Sequence, residues 1–394
     1  MRGTIHPSAI AIALGFTVAA AGGPETWKTL DGAPPLVIAH RGACGILPEE
    51  TVEAYEAAAR MGADALEPDL QLSRDGVLVA RHDPNLALST DVAMHPEYAS
   101  RKRVLEVDGE PQEGWFVLDF TLEELRGLGG VVTDPERPRG RDGKARIATM
   151  REIVDIARRY STPAHRIAVY PETKNPAFQR EHGRAIEDSL LAFLEREHLN
   201  SRDSTVFVQS PEPGSLRYMR QKGLKTKIVQ LIDAKDVDYR TGKPVLAPPN
   251  DRPFDWTRAG DTLRDYAWMT TREGLAWIRG YADGIGPWKR WIVPVRGELD
   301  SAGRVRDLDG NGKIDDRDAH CLPPTSLVAD AHEAGLFVHP YTFRDEKRRL
   351  CAEYAGDPAA EYRQYYGLGV DGLFTDFADR ALESRRHFPS ARSR

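Results

Sequence analysis

The stretch PLVIAHRGACGILPEETVEAYEAAARMGADALEPDLQL, residues 35–72, reads as a strand, a helix and a second strand in succession. PLVIAH is a short continuous apolar run and predicts a buried strand that ends at His40. ETVEAYEAAARMG predicts a helix, because its apolar and small residues recur on one face: Val52, Tyr55, Ala58, Ala59 and Gly62. ADALEPDLQL predicts the next strand. Apolar strands in this order indicate a parallel sheet covered by helices.

The same alternation continues to the end of the chain. Further strands are predicted at RIAVYPETK, STVFVQS, KTKIVQLI, YADGIGP, GLFVHPYTF and VDGLFTDF, mostly separated by helix-like runs such as MREIVDIARRY. If GVLVARHD forms a hairpin with the second strand, eight barrel strands remain. The sequence therefore predicts an α/β fold, a (β/α)8 TIM barrel, over residues 34–388. A doubly wound open sheet is the alternative, but no glycine-rich phosphate-binding sequence follows the first strand.

Three stretches interrupt the alternation: residues 87–143, 233–261 and 288–324. We interpret them as loop insertions on the barrel and not as separate domains. Long loops of this kind commonly carry function.

The charge balance limits the possible partners. The chain has 54 Lys and Arg against 60 Asp and Glu, a formal net charge of −6. A mildly acidic chain is a poor candidate for binding nucleic acid or anionic membranes, although a local site can still accept a small anion. We expect no nucleic-acid partner and no stable membrane insertion, and the oligomeric state stays open.

The N-terminus resembles a secretory signal peptide over residues 1–21. An early Arg leads into an apolar run, residues 9–21, that ends in small residues with a predicted cleavage near Ala21. A buried or membrane helix is the alternative, but the run is shorter than the ~20 residues that span a bilayer. The prediction is therefore an exported protein, periplasmic or secreted. After export Cys321 and Cys351 are the favoured disulfide pair, with free thiols as the alternative.

Polar residues follow most of the predicted strands. The active site of a (β/α)8 barrel lies at the carboxyl ends of its strands. Residues two apart on a strand, such as Glu67 and Asp69, point to the same face. The predicted strand ends carry His40, Arg41, Glu67, Asp69, His82, Asp83, Glu172, Lys174, Gln209, His339, Tyr341, Thr375 and Asp376.

These residue types indicate metal-assisted phosphoryl chemistry. Glu67, Asp69 and Glu172 would form a hard oxygen site for Ca²⁺ or Mg²⁺. Two histidines suit general acid–base catalysis near neutral pH. Arg41 and Lys174 are cations of the kind that hold a phosphate. Each residue alone could be structural, so the prediction depends on their convergence at one rim.

The stretch HRGACGILPEETVEAYEAAARMGADALEPDLQLSRDGVLVARHDPNL resembles the glycerophosphodiester phosphodiesterase family. The family pattern is His-Arg-Gly, Pro-Glu-Asn-Thr, E-x-D and D-G-x-x-V-x-x-H-D. The pieces VYPETK, VQS, YADGIGP, VHPYTFR and GLFTDF are similar to its periplasmic, GlpQ-type branch. The resemblance implies a (β/α)8 barrel that hydrolyses glycerophosphodiesters to sn-glycerol 3-phosphate and an alcohol. It also implies a divalent cation, often Ca²⁺.

The family's site residues carry over by motif. The resemblance implies that His40 and His82 are the catalytic pair. It implies that the metal is bound by Glu67, Asp69 and Glu172, and that the phosphate is held by Arg41 and Lys174. The later strand ends are expected to line the substrate pocket with Gln209, His339, Tyr341 and Phe374. The attacking group is water or the glycerol 2-hydroxyl, and His40 is the preferred base.

Three positions depart from the family pattern. Cys44 stands where a small residue such as Ser or Ala is common, and we expect it to lie near the site without a role in catalysis. Glu50 replaces the Asn of Pro-Glu-Asn-Thr, and we expect this to alter local hydrogen bonding only. Pro68 lies between two proposed metal ligands and is expected to bend the strand, because proline removes a ladder hydrogen bond.

Two other functions are alternatives. One is a phospholipase D-like or cyclising lyase that acts on lysophospholipids. The other is a catalytically inactive, calcium-dependent surface binding protein, which the retained histidines and carboxylates argue against.

The stretch DLDGNGKIDDRD, residues 307–318, matches an EF-hand calcium loop. Asp307, Asp309 and Asn311 take positions 1, 3 and 5, the Lys313 carbonyl takes position 7, and Asp318 closes the loop at position 12. We predict a second, structural Ca²⁺ that orders the 288–324 insertion. An acidic surface turn is the alternative.

Overall fold

The computed structural model describes residues 27–388, so the signal peptide predicted at residues 1–21 lies outside the described residues. The strands are β1 Leu36–His40, β2 Ala65–Glu67, β3 Asp69–Leu72, β4 Leu78–Ala80, β5 Arg103–Val107, β6 Glu110–Gly114, β7 Gly129–Gly130, β8 Ala145–Arg146, β9 Ala168–Val169, β10 Glu172–Thr173, β11 Phe207–Ser210, β12 Lys227–Ile232, β13 Asp236–Asp238, β14 Lys243–Val245, β15 Gly284–Pro287, β16 Val295–Gly297, β17 Ala319–Cys321, β18 Phe337–Val338 and β19 Gly372–Thr375.

Helices alternate with these strands. The α-helices are α1 Val52–Met61, α2 Leu122–Arg126, α3 Met150–Tyr160, α4 Pro176–Glu181, α5 Ile186–Arg196, α6 Pro213–Gln221, α7 Phe254–Arg258, α8 Tyr266–Met269, α9 Arg272–Arg279, α10 Leu327–Glu333, α11 Pro358–Leu368 and α12 Ala378–Arg386. Short 3₁₀ turns occupy Leu86–Leu88, Val92–Met94, Pro96–Arg101, Val117–Asp119, Lys289–Trp291, Asp316–Asp318, Lys347–Arg349 and Ala352–Tyr354. In residues 27–388, no helix combines the length and the apolar character that crossing a membrane requires.

The parallel strands close into the predicted (β/α)8 barrel. They pair in the orders β19-β1-β2-β9 and β18-β15-β12-β11-β10-β3. The two sheets are continuous, because β2 and β3 are one barrel strand interrupted at Pro68, and β9 and β10 are another. Between β18 and β19 the Asp371 N–H donates to the Val338 carbonyl at 2.9 Å, and the Phe343 N–H donates to the Phe374 carbonyl at 2.8 Å.

The GVLVARHD segment forms the expected hairpin. β4 runs antiparallel to β3, with Leu70 opposite Ala80 and Leu72 opposite Leu78. The hairpin adds a strand at the edge of β3 without entering the parallel barrel order, which leaves eight barrel strands.

Helix α1 follows the predicted apolar face with one difference. Val52, Tyr55, Ala58 and Ala59 are buried as predicted. Gly62 is not part of the packed face but caps the helix, with φ of 89° and its N–H bonded to the Ala58 and Ala59 carbonyls. A left-handed cap of this kind favours glycine, so its small size reflects the turn and not the core.

The three irregular stretches carry small antiparallel hairpins above the barrel. β5 and β6 lie in the first stretch, β13 and β14 in the second, and β16 and β17 in the third. Cys321 and Cys351 are disulfide-bonded, as predicted, which fastens the third stretch to the segment that follows β18. Cys44 is buried with a free thiol.

Candidate active site

A cavity of about 650 Å³ lies at the carboxyl ends of the barrel strands. It brings together nearly all the site residues predicted from the sequence. The predicted residues that line it are His40, Arg41, Glu67, Asp69, His82, Glu172, Lys174, Gln209, Tyr341 and Phe374. Residues from separate strands therefore share one solvent-filled space.

The centre of this cavity is an acidic group that we call the carboxylate cluster: Glu67, Asp69 and Glu172. One oxygen from each lies within 4.8 Å of the others. The three residues are only 1%, 1% and 6% exposed. β3 and β10 pair with Asp69 opposite Glu172, so the barrel register sets the two carboxylates side by side.

Pro68 separates two members of the cluster without dispersing them. Regular strand pairing stops at Glu67 and resumes at Asp69, as expected for a residue that lacks an N–H. The Pro68 carbonyl still accepts the Glu172 N–H at 2.8 Å, which fastens the interrupted strand to its neighbour.

The cluster fits a divalent cation. Asp69 Oδ2, Glu172 Oε1 and Gln209 Oε1 are buried and accept no hydrogen bond of regular geometry, although Arg41 Nε and Lys174 Nζ lie 3.0 and 3.1 Å from the first two. The Gln209 amide donates to Glu67 Oε1 at 2.8 Å, which leaves its own oxygen free. Buried oxygens that accept no regular hydrogen bond are rare in proteins, and a hard cation is the partner that satisfies several at once.

The protonation behaviour of the cluster agrees with that fit. Burial, followed by the charge of Asp69, raises the pKa of Glu67 well above its ordinary value. Burial also raises the pKa of Glu172, to about 8. Burial alone would raise the pKa of Asp69, but Lys174 and Arg41 hold that pKa below its ordinary value. A bound cation would relieve the mutual repulsion of the three anions.

Two cations flank the cluster. Arg41 Nε lies 3.0 Å from Asp69 Oδ2, and Lys174 Nζ lies 3.1 Å from Glu172 Oε1. Arg41 Nη1 also contacts both oxygens of Glu49, at 3.3 and 3.2 Å. The side chains are 15% and 16% exposed, so both cations border the cavity in which a phosphate would lie.

Glu50, which departs from the family pattern, supports the cluster from behind. It is fully buried and accepts hydrogen bonds from the Tyr55 hydroxyl and, at 3.0 Å, from the Asp69 N–H. Burial, followed by the charge of Asp69, raises its pKa well above the ordinary value. Its carboxyl group therefore holds the backbone of one cluster residue.

His40 is buried and held by a carboxylate. Its Nδ1 lies 2.7 Å from Asp376 Oδ1. Burial lowers the pKa of His40 to about 4, despite the opposing effect of Asp376. The other Asp376 oxygen accepts hydrogen bonds from Arg137 and, at 3.1 Å, from Arg344. The carboxylate fixes the ring, and burial keeps it unprotonated at neutral pH.

The sequence reasoning assigned no role to these partners of His40. Asp376 lies at the end of β19, and that position at a strand end was the available signal. Arg137 lies in the first irregular stretch and reaches Asp376 across 239 positions of the chain, which no local pattern could reveal.

His82 differs from His40 in its surroundings. It follows β4, and its side chain is 32% exposed. Its Nδ1 lies 3.2 Å from Asp83 Oδ2. Burial would raise the pKa of Asp83, but His82 holds it below the ordinary value. The cavity thus has one buried and one solvent-accessible imidazole.

The structure does not bring His339 to this cavity. Its ring is 2% exposed and packs inside the barrel against Phe207 and Phe337. Its Nδ1 lies 2.9 Å from the Tyr170 hydroxyl, and burial lowers its pKa to about 4. The predicted pocket role is corrected: β18 ends at Val338, and the His339 side chain fills the barrel interior beneath the site.

The predicted calcium loop forms a second acidic group, which we call the loop cluster: Asp307, Asp309 and Asp318. One oxygen from each lies within 4.8 Å of the others. Asp307 accepts the N–H groups of Gly310 and Gly312, each at 2.7 Å. Asn311 Oδ1 accepts the Lys313 N–H at 2.7 Å. These bonds close the loop that the sequence predicted.

The loop also reaches the cavity, which its position in the sequence did not suggest. Asp316 lines the cavity and accepts hydrogen bonds from Arg290 at 2.7 Å and from the Tyr239 hydroxyl at 3.0 Å. The third irregular stretch is therefore part of the site wall.

A closed (β/α)8 barrel with buried carboxylates, two histidines and two cations at one rim defines a barrel enzyme for an anionic substrate. Residues 40–380 match the glycerophosphoryl diester phosphodiesterase family. The chain belongs to this family and is an enzyme of its hydrolase class.

Named relatives match along most of the chain. Glycerophosphodiester phosphodiesterase GDPD6 of Arabidopsis thaliana is 38% identical over 89% of this chain and 86% of its own length. A glycerophosphodiester phosphodiesterase of Haemophilus influenzae is 29% identical over 88% of this chain and 89% of its own length. Plant and bacterial relatives both match, so the periplasmic branch stays a prediction.

Solved structures support the fold. The phosphodiesterase of Oleispira antarctica in complex with sn-glycerol-3-phosphate has a TM-score of 0.52, with 17% identity over 90% of this chain and 98% of that chain. The glycerophosphodiester phosphodiesterase of Agrobacterium tumefaciens has a TM-score of 0.50, with 14% identity over 89% of this chain and 99% of that chain.

Proposed function

We propose that the protein hydrolyses glycerophosphodiesters to sn-glycerol 3-phosphate and an alcohol, and that it needs a divalent cation. The observation that carries the proposal is the carboxylate cluster, which is buried beside Arg41 and Lys174 in one cavity and in which one oxygen each of Asp69 and Glu172 accepts no regular hydrogen bond. Glu67, Asp69 and Glu172 would hold the cation, with the Gln209 amide oxygen as a further ligand.

The two cations position the substrate. Arg41 and Lys174 would hold non-bridging phosphate oxygens, because both border the cavity next to the cluster. When bound, the cation supplies Lewis-acid stabilisation of the negative charge that develops on the phosphoryl group. Because Glu49 and Asp69 orient the Arg41 guanidinium, little reorganisation is needed when the phosphate arrives.

The two histidines divide the proton transfers. His40, which is unprotonated and held by Asp376, takes the proton of the attacking hydroxyl. His82, which is open to solvent, returns a proton to the leaving alcohol as its bond to phosphorus breaks. Attack by water gives glycerol 3-phosphate directly. Attack by the glycerol 2-hydroxyl gives a cyclic phosphate that a second attack opens.

We also propose that Ca²⁺ is the native cation and that a second Ca²⁺ binds the 307–318 loop. The loop contributes carboxylate and amide oxygens, which Ca²⁺ prefers. Extracellular or periplasmic export, inferred from residues 1–21, is consistent with calcium use and with the Cys321–Cys351 bond.

The test is release of glycerol 3-phosphate from glycerophosphocholine by wild type, His40→Ala and His82→Ala. We expect each alanine variant to lose roughly 10²- to 10⁴-fold in kcat, the usual contribution of a general acid or base. His339→Ala serves as a matched control for a buried histidine outside the cavity, provided that circular dichroism shows it folded.

Two results would contradict the proposal. One is a wild-type protein that releases no glycerol 3-phosphate. The other is a pair of His40 and His82 variants that keep full activity. A parallel arm with lysophosphatidylcholine separates the lipid alternative, which would yield choline or a cyclic lipid phosphate there and little product from glycerophosphocholine.

A further inference from the structure

The cavity has a second positively charged wall away from the carboxylate cluster. Arg290, from the third irregular stretch, and Arg344 and Arg349, from the segment after β18, line it. Arg344 and Arg349 also line an adjoining cavity of about 510 Å³, which shares His40 and Arg41 with the first. The wall therefore lies within the space that a substrate extending from the cluster would occupy.

Arg290 is buried with a free donor. It is 1% exposed, and its Nη2 donates to Asp316 at 2.7 Å and to the Arg349 carbonyl at 3.3 Å. Its Nη1 makes no hydrogen bond, and Glu361 Oε1 lies 3.9 Å from it. Buried guanidinium groups normally use their donors, so a donor without a hydrogen bond on a residue that lines the cavity leaves capacity for a ligand acceptor.

The charges on this wall do not balance. Lys289 pairs with Glu361 at 2.8 Å, Arg290 with Asp316 at 2.7 Å, and Arg344 with Asp376 at 3.1 Å. Within residues 27–388, Arg349 has no such carboxylate partner, and its Nε is buried without an acceptor. Burial, followed by Arg344 and Arg348, lowers its pKa, and the charges of Asp316 and Asp134 offset this only in part.

The unpaired arginine is held in place. Arg349 closes the 3₁₀ turn Lys347–Arg349, and Cys351 follows two positions later. The Cys321–Cys351 bond fastens this segment to the stretch that carries Arg290. The two guanidinium groups are thus preorganised, which lowers the entropic cost of binding an anion between them.

We propose that Arg349 and Arg290 form a subsite for a second phosphate, carried by the alcohol part of the substrate. The inference rests on the proposed function and names its substrate class: glycerophosphodiesters whose alcohol bears a phosphate group. The glycerol part is uncharged, so a second anion beyond the scissile phosphate belongs to the alcohol. Paired guanidinium groups suit a phosphate because their N–H donors match its oxygens.

The test compares glycerophosphoinositol with glycerophosphoinositol 4-phosphate, which differ by one phosphate. The measured quantity is the ratio of kcat/KM for the phosphorylated to the unphosphorylated substrate. Wild type should favour the phosphorylated substrate. Arg349→Gln should lower the ratio by roughly 10-fold or more, as expected for a charged hydrogen bond. Arg349→Lys should restore part of it.

Arg166→Gln is the matched control. Arg166 is exposed and precedes β9, at the opposite end of the barrel from the cavity. The substitution therefore removes one positive charge without changing the subsite. The kcat/KM ratio of Arg166→Gln should equal that of wild type. A fall as large as that of Arg349→Gln would show that the preference depends only on the net charge of the protein, and would overturn the subsite.

Other outcomes separate the two proposals. Hydrolysis of both inositol substrates with a ratio that Arg349→Gln leaves unchanged overturns the subsite and leaves the proposed function intact. Hydrolysis of neither inositol substrate while glycerophosphocholine is cleaved has the same meaning. Failure on all three substrates overturns the proposed function, and the subsite with it.

Discussion

The carboxylate cluster and the loop cluster use similar residues in opposite surroundings. Glu67, Asp69 and Glu172 are buried, and one oxygen each of Asp69 and Glu172 accepts no regular hydrogen bond. In the loop cluster Asp307 and Asp309 are exposed, and their oxygens accept N–H groups of their own loop. The loop is organised by its own hydrogen bonds, whereas the buried cluster has repulsion that its protein partners only partly offset.

This difference indicates different roles. A buried site beside two cations and two histidines favours chemistry on a bound anion, because its charges act in a low dielectric. An exposed loop with satisfied oxygens favours a structural cation that tightens a fold already defined. The more conspicuous metal motif in the sequence is therefore assigned the smaller effect on catalysis.

The largest effect that separates the clusters is expected from Glu67→Gln. This change keeps the size of the side chain but removes a cluster charge, so we expect kcat/KM to fall roughly 10²- to 10³-fold. Asp309→Asn makes the same type of change in the loop cluster and should retain most activity. The comparison breaks if both variants lose activity to the same extent.

A smaller effect is expected from Asp376→Asn, which leaves both clusters intact. The carboxylate fixes the His40 ring at 2.7 Å, and loss of such an orienting partner typically costs about 10- to 100-fold in activity. The cation content of the variant, measured by elemental analysis, should match wild type. Loss of the cation would show that Asp376 supports the cluster and not the histidine.

The pH profile of activity tests only the cavity that holds the carboxylate cluster and His40, and not the loop cluster. Burial lowers the pKa of His40 to about 4, so the proposed base stays unprotonated well below neutral pH. We expect kcat/KM to persist to about pH 5 and to fall as the pH decreases through about 4. Asp376 raises this pKa, so Asp376→Asn should shift the acid limb lower still. An acid limb near the ordinary histidine value would contradict the assignment.

The smallest effect on activity is expected from Asp307→Ala. We predict that wild type gains thermal stability with Ca²⁺ and that this variant loses most of the gain, because binding to the folded state raises Tm. Its activity should fall less than that of Glu67→Gln, since Asp307 lines neither cavity and the loop meets them through other residues, such as Asp316. Asp300→Ala removes an acidic residue from the same stretch but outside the loop cluster. This variant should keep the calcium-dependent gain in thermal stability.

Much of the barrel could be predicted because its signals are local. Apolar runs marked the strands, and residues two apart, such as Glu67 and Asp69, already implied a shared face. The disulfide followed from the choice of two cysteines outside the family motif. The carboxylate cluster was therefore predictable once the strand order was assigned.

The errors and omissions came from three-dimensional packing. His339 follows a strand like the other predicted residues, but its side chain turns into the barrel interior toward Tyr170. Arg137, from the first irregular stretch, and Arg349, from the segment after β18, reach the site from regions where no periodicity fixes the direction of a side chain. Gly62 looked like part of an apolar face because sequence alone does not separate a small core residue from a helix cap.

The most direct test of the central claim is to remove bound metal from the protein with a chelator and then titrate it with calcium. Calorimetry follows calcium binding, and release of glycerol 3-phosphate from glycerophosphocholine follows activity. The account predicts two classes of site in wild type. Glu67→Gln should lose one class together with activity, and Asp307→Ala should lose the other while activity returns with calcium. The account is contradicted if Glu67→Gln keeps both classes, or if Asp307→Ala abolishes the calcium-restored activity as fully as Glu67→Gln does.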